Sequence, residues 1–435
     1  MRAMKDSGIE WIGEIPQEWD LRKIKTNFDI VAGATPKSGE ASYWDGDIPW
    51  ITPADYTTED VYVSIGHKNI TREGMNSCAT SLVPEGSIVF SKRAPIGLVA
   101  ISSNPLCTNQ GCLSCIPKES VDVKYYYYVM SIYSEQFDLF ASGTTFKEIS
   151  AVSFANFKLP FPNFETQSRI ASYLDAKCSE IDTLIAAKEK TNALLKEQRQ
   201  SIIYEAVTKG LDPTVPMKDS GVEWIGKIPQ KWDLRKIKTN FDIVAGATPK
   251  SGEASYWDGD IPWITPADYT TEDVYVSIGH KNITREGMNS CATSLVPEGS
   301  IVFSKRAPIG LVAISSNPLC TNQGCLSCIP KESVDVKYYY YVMSIYSEQF
   351  DLFASGTTFK EISAVSFANF KLPFPNFETQ SRIASYLDAK CSEIDSLIAA
   401  NEKTNELLKE QRQSLIYEAV TGKIEAIGIR NSYPK

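Results

Sequence analysis

The sequence predicts an α+β protein with two copies of one mixed, strand-rich domain and two long helices. Three observations support this fold class. The segment that begins at Met4 and ends at Thr208 returns at a constant offset of 213 residues. The first part of each copy is rich in glycine, proline and short apolar runs, which is typical of strands and turns. The second part, from Glu165 to Val207, contains neither glycine nor proline, which is typical of one long helix.

The repeat is nearly perfect. The two copies are identical from Trp19 to Asp182. They differ at the pairs Ile9/Val222, Glu14/Lys227, Glu18/Lys231, Thr183/Ser396, Lys188/Asn401, Ala193/Glu406 and Ile202/Leu415. A repeat of this length is a whole domain rather than a solenoid unit of roughly 20 to 50 residues. Because identical domains present identical surfaces, a target that both bind equally well should carry two equivalent sites, as palindromic duplex DNA does.

Composition narrows the classes of function. The chain has 435 residues, 43% of them hydrophobic, and a net charge of −9. That content is ample for globular cores. No apolar run approaches the ~20 residues of a membrane span, and the N-terminus shows no secretory signal, so we expect a cytoplasmic protein with no membrane contact. The acidic balance is unusual for a nucleic-acid binder, although local potential rather than net charge decides binding. An acidic DNA reader is expected to use basic partners.

Local patterns place the elements of the first part. Ser87–Ser91 and Leu98–Ile101 are predicted strands, and the glycine-rich segment Gly33–Gly39 is a predicted loop. Tyr125–Phe140 is predicted to be helical. Trp44 and Trp50 are interpreted as packing residues rather than as platforms for stacked bases.

The second part carries apolar residues at alternating spacings of four and three, with polar residues in the middle. This pattern predicts a helix about 60 Å long with a heptad seam. The seam of the first copy is Leu174, Cys178, Ile181, Ile185, Lys188, Asn192, Leu195, Arg199, Ile202 and Ala206. The seam of the second copy is Leu387, Cys391, Ile394, Ile398, Asn401, Asn405, Leu408, Arg412, Leu415 and Ala419. The two helices should pack on each other, and Lys209–Pro213 should end the first.

Several motifs, in order and in both copies, resemble one family. The motifs of the first copy are Lys5–Pro16, Gly33–Pro36, Ile48–Ile51, Ile70–Gly74, Arg93–Gly97, Thr108–Gly111, Ser142–Thr145 and Glu165–Ala171. They are similar to those of the specificity subunits of type I restriction-modification systems. The resemblance implies two target-recognition domains separated by two long antiparallel helices with pseudo-two-fold symmetry. The chain departs from the family in one respect, because such subunits usually carry two different recognition domains.

The resemblance also implies domain boundaries, partners and cofactors. The expected segments are recognition domains 1–162 and 217–375, spacer helices 163–208 and 376–421, a linker 209–216 and a tail 422–435. Double-stranded DNA, two DNA methyltransferase subunits and, in some systems, restriction subunits are the implied partners. The implied role is that of a non-catalytic DNA-specificity subunit. The chain would direct its partners to methylate adenine in a bipartite site, which should be palindromic because the two domains are the same. S-adenosylmethionine, and ATP with Mg²⁺ where restriction occurs, are expected on the partners, because this sequence has no phosphate-binding loop or methyltransferase signature.

Polar residues in and near the loops are candidates for DNA contacts, since cations and hydroxyls bond phosphate and amides suit adenine. In the first copy they are Lys37, Ser38, Tyr43, Lys68, Asn69, Arg72, Lys92, Arg93, Thr144, Thr145 and Lys147. In the second copy they are Lys250, Ser251, Tyr256, Lys281, Asn282, Arg285, Lys305, Arg306, Thr357, Thr358 and Lys360. The alternative for each is a solvated loop charge or a turn residue. Motifs shared by relatives with different targets cannot carry specificity, so base-reading residues are expected between motifs, for example in Tyr56–Lys68.

Other interpretations remain open at this point. Cys107, Cys112 and Cys115 have the opening spacing of an iron–sulfur site, but no fourth cysteine follows within tens of residues, and a strand with small buried thiols is the favoured interpretation. The cysteines number five in each repeat, which favours reduced thiols over disulfides. His67 and His280 are the only histidines, and a surface role is the simpler interpretation. A duplicated adaptor that binds a symmetric protein partner is the alternative function, whereas a self-contained nuclease or methyltransferase lacks its motifs.

Overall fold

The computed structural model describes residues 3–143, 147–355 and 360–424. The first repeat begins with short strands and ends in a long helix. Its strands are β1 Met4–Asp6, β2 Glu14–Pro16, β3 Asp20–Lys23, β4 Phe28–Ala32, β5 Trp44–Ile51, β6 Tyr62–Val63, β7 Lys68–Ile70, β8 Ile88–Ser91, β9 Val99–Ser102, β10 Cys107–Thr108, β11 Cys112–Pro117 and β12 Lys158–Phe161. Its helices are α1 Ile24–Asn27, α2 Arg72–Asn76, α3 Val123–Ser131, α4 Ser134–Leu139, α5 Ala151–Asn156 and α6 Phe164–Lys209, with a 3-10 turn at Ala41–Tyr43.

The second repeat has the same elements in the same order. Its strands are β13 Met217–Asp219, β14 Lys227–Pro229, β15 Asp233–Lys236, β16 Phe241–Ala245, β17 Trp257–Ile264, β18 Tyr275–Val276, β19 Lys281–Ile283, β20 Ile301–Ser304, β21 Val312–Ser315, β22 Cys320–Thr321, β23 Cys325–Pro330 and β24 Lys371–Phe374. Its helices are α7 Ile237–Asn240, α8 Arg285–Asn289, α9 Val336–Ser344, α10 Ser347–Leu352, α11 Ala364–Asn369 and α12 Phe377–Val420, with a 3-10 turn at Ala254–Tyr256.

Two mixed sheets form the centre of each repeat. In the first repeat the larger sheet has the order β4-β11-β8-β9-β6, and the smaller sheet has the order β10-β5-β7. The central strands β8 and β9 are buried at every residue, as expected for short apolar runs between turns. The second repeat has the same strand orders in its own sheets. The predicted fold class, two strand-rich α/β domains with long helices, is confirmed.

The predicted elements are found with small shifts. The predicted strands correspond to β8 and β9, and Gly33–Gly39 lies outside any strand or helix. The predicted helix Tyr125–Phe140 is two helices, α3 and α4, because the chain leaves helical geometry at Tyr133, whose φ and ψ are −105° and 22°. Among the described residues, none of the helices is long and apolar enough to cross a membrane.

The long helix α6 starts and stops where its sequence provides caps. The side chain of Asn163 accepts a hydrogen bond from the backbone N–H of Thr166 at 2.9 Å, which satisfies a donor of the first turn. Gly210 follows the last helical residue at φ +78°, the left-handed conformation that commonly ends helices. The helix spans 46 residues, so it is about 69 Å long at 1.5 Å per residue.

Burial along the two long helices follows the heptad seam, with interruptions. Of the apolar seam residues in α6, Leu174, Ile181 and Ile185 are buried, and Leu195 and Ile202 are half-buried. In α12, Leu387, Ile394 and Ile398 are buried, whereas Leu408 and Leu415 are half-buried. The polar residues Asn192 and Asn405 are also buried, each 8% exposed.

The described residues divide into two compact units, and the division runs through both long helices. Unit 1 comprises Met1–Lys188 and Lys403–Lys435, and unit 2 comprises Glu189–Glu402. Each unit therefore contains the first half of the long helix of one repeat and the second half of the long helix of the other. The domain boundaries expected from the sequence separate whole helices from recognition domains, and that division stays a prediction.

Within each unit the helix segments run antiparallel. In unit 2, Asn401 donates a side-chain hydrogen bond to Asn192 at 2.8 Å, and Arg199 pairs with Asp395 at 3.1 Å. Residue numbers rise along α6 while they fall along α12, which defines the direction. In unit 1, Arg412 pairs with Asp182 at 3.2 Å, and these are the corresponding residues of the other repeat.

The end of the other repeat's helix completes the core of each unit. The core of unit 1 combines buried residues of the strands and of α3 with three residues of α12, namely Ile416, Ala419 and Val420. The core of unit 2 contains the equivalent residues of α6, namely Ile203, Ala206 and Val207. Because these side chains are almost fully buried, the core of neither unit is complete without residues of the other repeat.

Candidate nucleic-acid interface

Four loops of the first repeat meet at one place, and we call them the four-loop cluster. They are Gly33–Gly39, Thr108–Gly111, Lys92–Gly97 and Ser142–Glu148, of which Thr144–Phe146 lie outside the described residues. The backbone N–H of Ala34 donates to the carbonyl of Thr108 at 3.0 Å, and that of Lys92 donates to Gly111 at 2.9 Å. The N–H of Ile149 donates to Lys92 at 3.0 Å. Four motifs that are separate in the sequence are therefore adjacent in the fold.

Gly33 allows the closest approach within this cluster. A Cβ atom at this position would lie 2.1 Å from the carbonyl oxygen of Asn109 and 2.4 Å from that of Thr108. These oxygens belong to backbone, which cannot move aside cheaply. The side chain of Thr35 also bonds to that of Gln110. Glycine at this point therefore fixes the first loop against the second.

The indoles of Trp44 and Trp50 donate hydrogen bonds to the backbone of the Gly33–Gly39 loop. Trp44 Nε1 donates to the carbonyl of Lys37 at 3.1 Å, and Trp50 Nε1 donates to that of Ala34 at 3.0 Å. The two rings meet edge to face, with centroids 5.1 Å apart. Lys68 Nζ lies 5.2 Å from the centre of the Trp44 ring, within range of a cation–π interaction. The interpretation of both tryptophans as packing residues agrees with these contacts.

The other candidates around the small sheet are linked to the same loop. Thr71 caps α2, and its hydroxyl donates to the carbonyl of Ser42 at 2.8 Å, which ties α2 to the 3-10 turn that contains Tyr43. Lys37, Ser38, Lys68 and Arg72 are exposed, whereas Tyr43 and Asn69 are half-buried. In the part of the chain that the structure describes, Lys37 and Arg72 have no carboxylate partner. Their charges are available to an anion.

Lys92 and Arg93 are engaged with one carboxylate. Lys92 Nζ lies 2.8 Å from Glu148, and Arg93 Nε lies 2.6 Å from the other oxygen of the same carboxylate. Burial would raise the pKa of Glu148, but hydrogen bonds and charge from the two cations outweigh it and lower the pKa overall. Glu148 is therefore ionised at neutral pH and neutralises half of this charge. The sequence did not indicate this partner, which lies 55 residues from Arg93.

The remaining predicted residues divide between described and undescribed positions. Lys147 is exposed and paired with Asp138. The four hydroxyl candidates Thr144, Thr145, Thr357 and Thr358 lie outside the described residues. The structure thus brings nine of the first-copy candidates onto connected segments. Those nine are Lys37, Ser38, Tyr43, Lys68, Asn69, Arg72, Lys92, Arg93 and Lys147.

The second repeat reproduces this site with its own residues. Lys305 and Arg306 contact Glu361 at 2.8 and 2.6 Å, and Lys281 lies 5.3 Å from the ring of Trp257. Exposure is also the same: Lys250, Ser251, Lys281, Arg285 and Lys360 are exposed, whereas Tyr256, Asn282, Lys305 and Arg306 are half-buried. The two repeats therefore present one local geometry twice.

A buried carboxylate beside the site was missed by sequence reasoning. The side chain of Asp55 is 2% exposed, and it accepts hydrogen bonds from the N–H and hydroxyl of Thr52 and from the N–H of His67, each at 2.7 Å. The ring of His67 also bonds to this carboxylate, although the ring is 80% exposed. Burial raises the pKa of Asp55, but the hydrogen bonds from Thr52 and His67 lower it more.

Four cysteines of the first repeat are buried thiols, and Cys78 is half-buried. Burial raises the pKa of Cys107 to about 11, that of Cys112 to about 12, and that of Cys115 further. A metal binds the thiolate, which this environment disfavours. All ten cysteines are free, and within the described ranges no group of three or more His, Cys, Asp or Glu side chains could hold a metal ion.

Comparison with known proteins assigns the family. Residues 16–196 and 229–410 each match the type I restriction modification DNA specificity domain, and together they cover most of the chain. The chain belongs to this family.

Its relatives are specificity subunits of type I restriction enzymes. The MjaIX specificity subunit of Methanocaldococcus jannaschii is 41% identical over 428 residues, which is 95% of each chain. The EcoR124I/EcoR124II specificity subunit of Escherichia coli is 29% identical over 196 residues, covering 42% of this chain and 43% of that one. The chain is thus the specificity subunit of a type I restriction-modification system, a DNA-recognition component.

Solved structures show the same fold. A chain from a structure of complex assembly and conformational transition in the type I R-M system has a TM-score of 0.75 at 17% identity, covering 94% of this chain and 99% of that one. The HsdS subunit from Thermoanaerobacter tengcongensis has a TM-score of 0.56 at 17% identity, covering 94% and 98%. At these identities the likeness concerns the fold alone.

Proposed function

We propose that this specificity subunit selects a bipartite, palindromic DNA site and directs partner methyltransferase subunits to adenines within it. One observation carries the proposal: the two recognition domains are identical from Trp19 to Asp182 and from Trp232 to Asp395. Identical residues in identical local geometry recognise identical base sequences. A dimeric reader mirrors the symmetry of its operator, so two equal domains are expected to read inverted half-sites.

The exposed cations of each site suit the phosphate backbone. Lys37 and Arg72, together with Lys68 over its indole, offer positive charge on neighbouring segments. Phosphate contacts of this kind set the register of a protein on DNA, whereas base contacts set its specificity. We therefore assign these residues to backbone positioning. Because the net charge of the chain is −9, basic surfaces of the partner subunits would supply much of the affinity for DNA.

We assign the chemistry to the other subunits. Two methyltransferase subunits would bring S-adenosylmethionine, and restriction subunits, where the system includes them, would bring ATP and Mg²⁺. The chain itself would be non-catalytic and would act in the cytoplasm, where the DNA is. The supporting observation is that its sequence has no dinucleotide-binding or Walker-type loop.

Methylome sequencing tests this proposal directly. A host that carries this gene with its methyltransferase gene should show one split palindrome, methylated on both strands in the same sequence context. Lys37 and Lys250 occupy the same position in the two copies. Lys37→Ala alone and Lys250→Ala alone should therefore weaken methylation to the same extent, and neither should change the motif. Two unrelated half-sites would refute the symmetric reading. Absence of any motif that depends on this gene would favour a protein-binding adaptor instead.

A further inference from the structure

His67 is an exposed loop residue whose side chain is held by a hydrogen bond. Its side chain is 80% exposed, yet both its backbone N–H and its ring are bonded to one carboxylate, that of Asp55. That carboxylate is itself fixed, because its second oxygen accepts from the N–H and the hydroxyl of Thr52, each at 2.7 Å. In the second repeat, His280 and Asp268 show the same arrangement, with the ring 81% exposed.

The bond to Asp55 decides which ring nitrogen faces outward. An ionised carboxylate accepts hydrogen bonds and cannot donate them, so the proton of the neutral imidazole must be on Nδ1. The hydrogen bond made by one ring nitrogen fixes the protonation of the other. In the neutral ring, Nε2 of His67 is therefore an acceptor, and the bond at Nδ1 orients it at an exposed position.

A purely structural role does not account for this geometry. The backbone N–H of His67 already anchors the loop to Asp55 at 2.7 Å. A ring that is 80% exposed adds little packing, and one further hydrogen bond contributes only about 1 kcal/mol of net stability. Rigid orientation by a supporting hydrogen bond is, by contrast, what a recognition contact requires. Asp55 is the positioning residue in this arrangement.

The location of His67 agrees with a recognition contact. It directly precedes β7, whose first residue, Lys68, lies over the ring of Trp44 beside the four-loop cluster. It also lies within Tyr56–Lys68, the stretch between family motifs in which base-reading residues are expected. Residues there can differ between relatives with different targets.

We propose that His67 and His280 each read one base pair of a half-site, with Nε2 accepting a hydrogen bond from an exocyclic amino group in the major groove. Adenine N6 and cytosine N4 are the amino groups that the major groove presents. This inference rests on the proposed DNA-recognition function. It assigns the same position in both half-sites, since the two histidines are copies.

Two substitutions separate reading from anchoring. The amide of Asn reaches about as far as Nδ1, so His67→Asn with His280→Asn keeps a donor for Asp55 and removes the outer nitrogen. The longer amide of Gln reaches about as far as Nε2, so His67→Gln with His280→Gln restores an acceptor there. Each variant would be produced with its methyltransferase subunits. The first readout is the methylome, and the second is binding to duplexes that contain the wild-type motif.

The expected result is loss of one base preference. The Asn variant should methylate a motif that is degenerate at one position in each half-site, and the Gln variant should retain much of the preference. In binding assays, removing the 6-amino group of the relevant adenine, or the 4-amino group of the relevant cytosine, should cost the wild type about tenfold in affinity, which is typical of one base contact. The same change should leave the Asn variant unaffected.

Other outcomes would overturn the inference. An unchanged motif with unchanged affinity in the Asn variant would mean that Nε2 contacts nothing. Equal weakening on every sequence, with a shallower salt dependence, would make His67 a phosphate contact. Either result leaves the proposed function intact. A wild-type complex whose methylated motif does not depend on this chain would overturn the proposed function as well.

Discussion

The hydroxyl of Tyr125 donates a hydrogen bond to the carbonyl oxygen of Val420 at 3.1 Å, although 295 residues separate them. Both residues belong to unit 1, and both are fully buried. The carbonyl is one of those that a helix leaves unpaired at its C-terminus. Tyr338 and Val207 form the equivalent bond in unit 2 at 3.2 Å. The interior of each recognition domain thus caps a helix that starts in the other repeat.

Removing this cap should destabilise both units. Tyr125→Phe with Tyr338→Phe leaves a buried carbonyl without its donor, which costs about 1–3 kcal/mol per site. Urea unfolding would measure the change in the free energy of unfolding. Tyr62→Phe with Tyr275→Phe is the matched control, because those rings are each 50% exposed. Equal effects from the two pairs of substitutions would show that the bond to the helix end contributes nothing.

The ion pairs at Glu148 predict opposite effects for two sets of substitutions. Replacing Lys92, Arg93, Lys305 and Arg306 by Ala should weaken DNA binding on all sequences and reduce the salt slope by about 1 for each lost phosphate contact. Replacing Glu148 and Glu361 by Gln releases the same cations, so binding should tighten at low salt. Salt titrations of binding affinity would measure both effects.

The control for this prediction is a charge change elsewhere. Lys23 and Lys158 are exposed partners on the sheet of β3 and β12, and Lys236 and Lys371 are their copies. Changing these four residues to Ala alters the net charge equally and should leave the salt slope nearly unchanged. A slope that changes as much as in the loop variant would mean that only total charge matters.

Protonation of the buried carboxylate of Asp55 should destabilise the folded protein at low pH. Its pKa is lower in the folded protein than the value of about 3.9 for a free Asp. A depressed pKa stabilises the folded state above the unfolded pKa, and this contribution is lost as the pH falls through the folded value. The free energy of unfolding should therefore fall below about pH 4. Asp55→Asn with Asp268→Asn should lower it at pH 7 and flatten the acid limb.

The measurement is urea unfolding across a pH series. Asp47→Asn with Asp260→Asn alters exposed carboxyls in the same repeat positions and is expected to leave the acid limb steep. If the Asp55 variant kept the full acid dependence of the wild type, other carboxyls would have to account for it.

The long helix is expected to set the distance between half-sites. Four residues inserted into Glu165–Val207, with four more in Glu378–Val420, lengthen each helix by about 6 Å, or one turn, and keep the seam nearly in phase. The spacer should lengthen by about one or two base pairs at 3.4 Å each. The bases of the half-sites should not change. Methylomes of the insertion variants would show this, and full activity with the original spacer would remove the helices from that role.

Local patterns in the sequence predicted the helices and strands, but they did not predict contacts between residues that are distant in the sequence. The absence of glycine and proline over Glu165–Val207 located α6 to within two residues at each end. The break between α3 and α4 was missed, because Tyr133, where the chain leaves helical geometry, is a residue type that a helix accommodates. A run of apolar residues does not indicate where such a break in a helix occurs.

The candidate site shows the same limit. Loop composition indicated the cations, but the partner of Lys92 and Arg93 lies in another loop, and nothing in a single sequence marks Glu148 for that role. The link between Asp55 and His67 spans 12 residues of irregular chain, where no periodicity applies. His67 was interpreted as a surface residue, and it is exposed, but the carboxylate that orients it could not be foreseen.

The shared helix ends have a genetic consequence. Loss of one repeat of 213 residues would leave a chain of 222 residues. Such a shortened polypeptide would keep one full recognition surface but would lack the foreign helix end that its own core requires. Two shortened polypeptides could supply that end to each other. Because each core needs a helix end from another repeat, a chain with one repeat is expected to fold only when it self-associates.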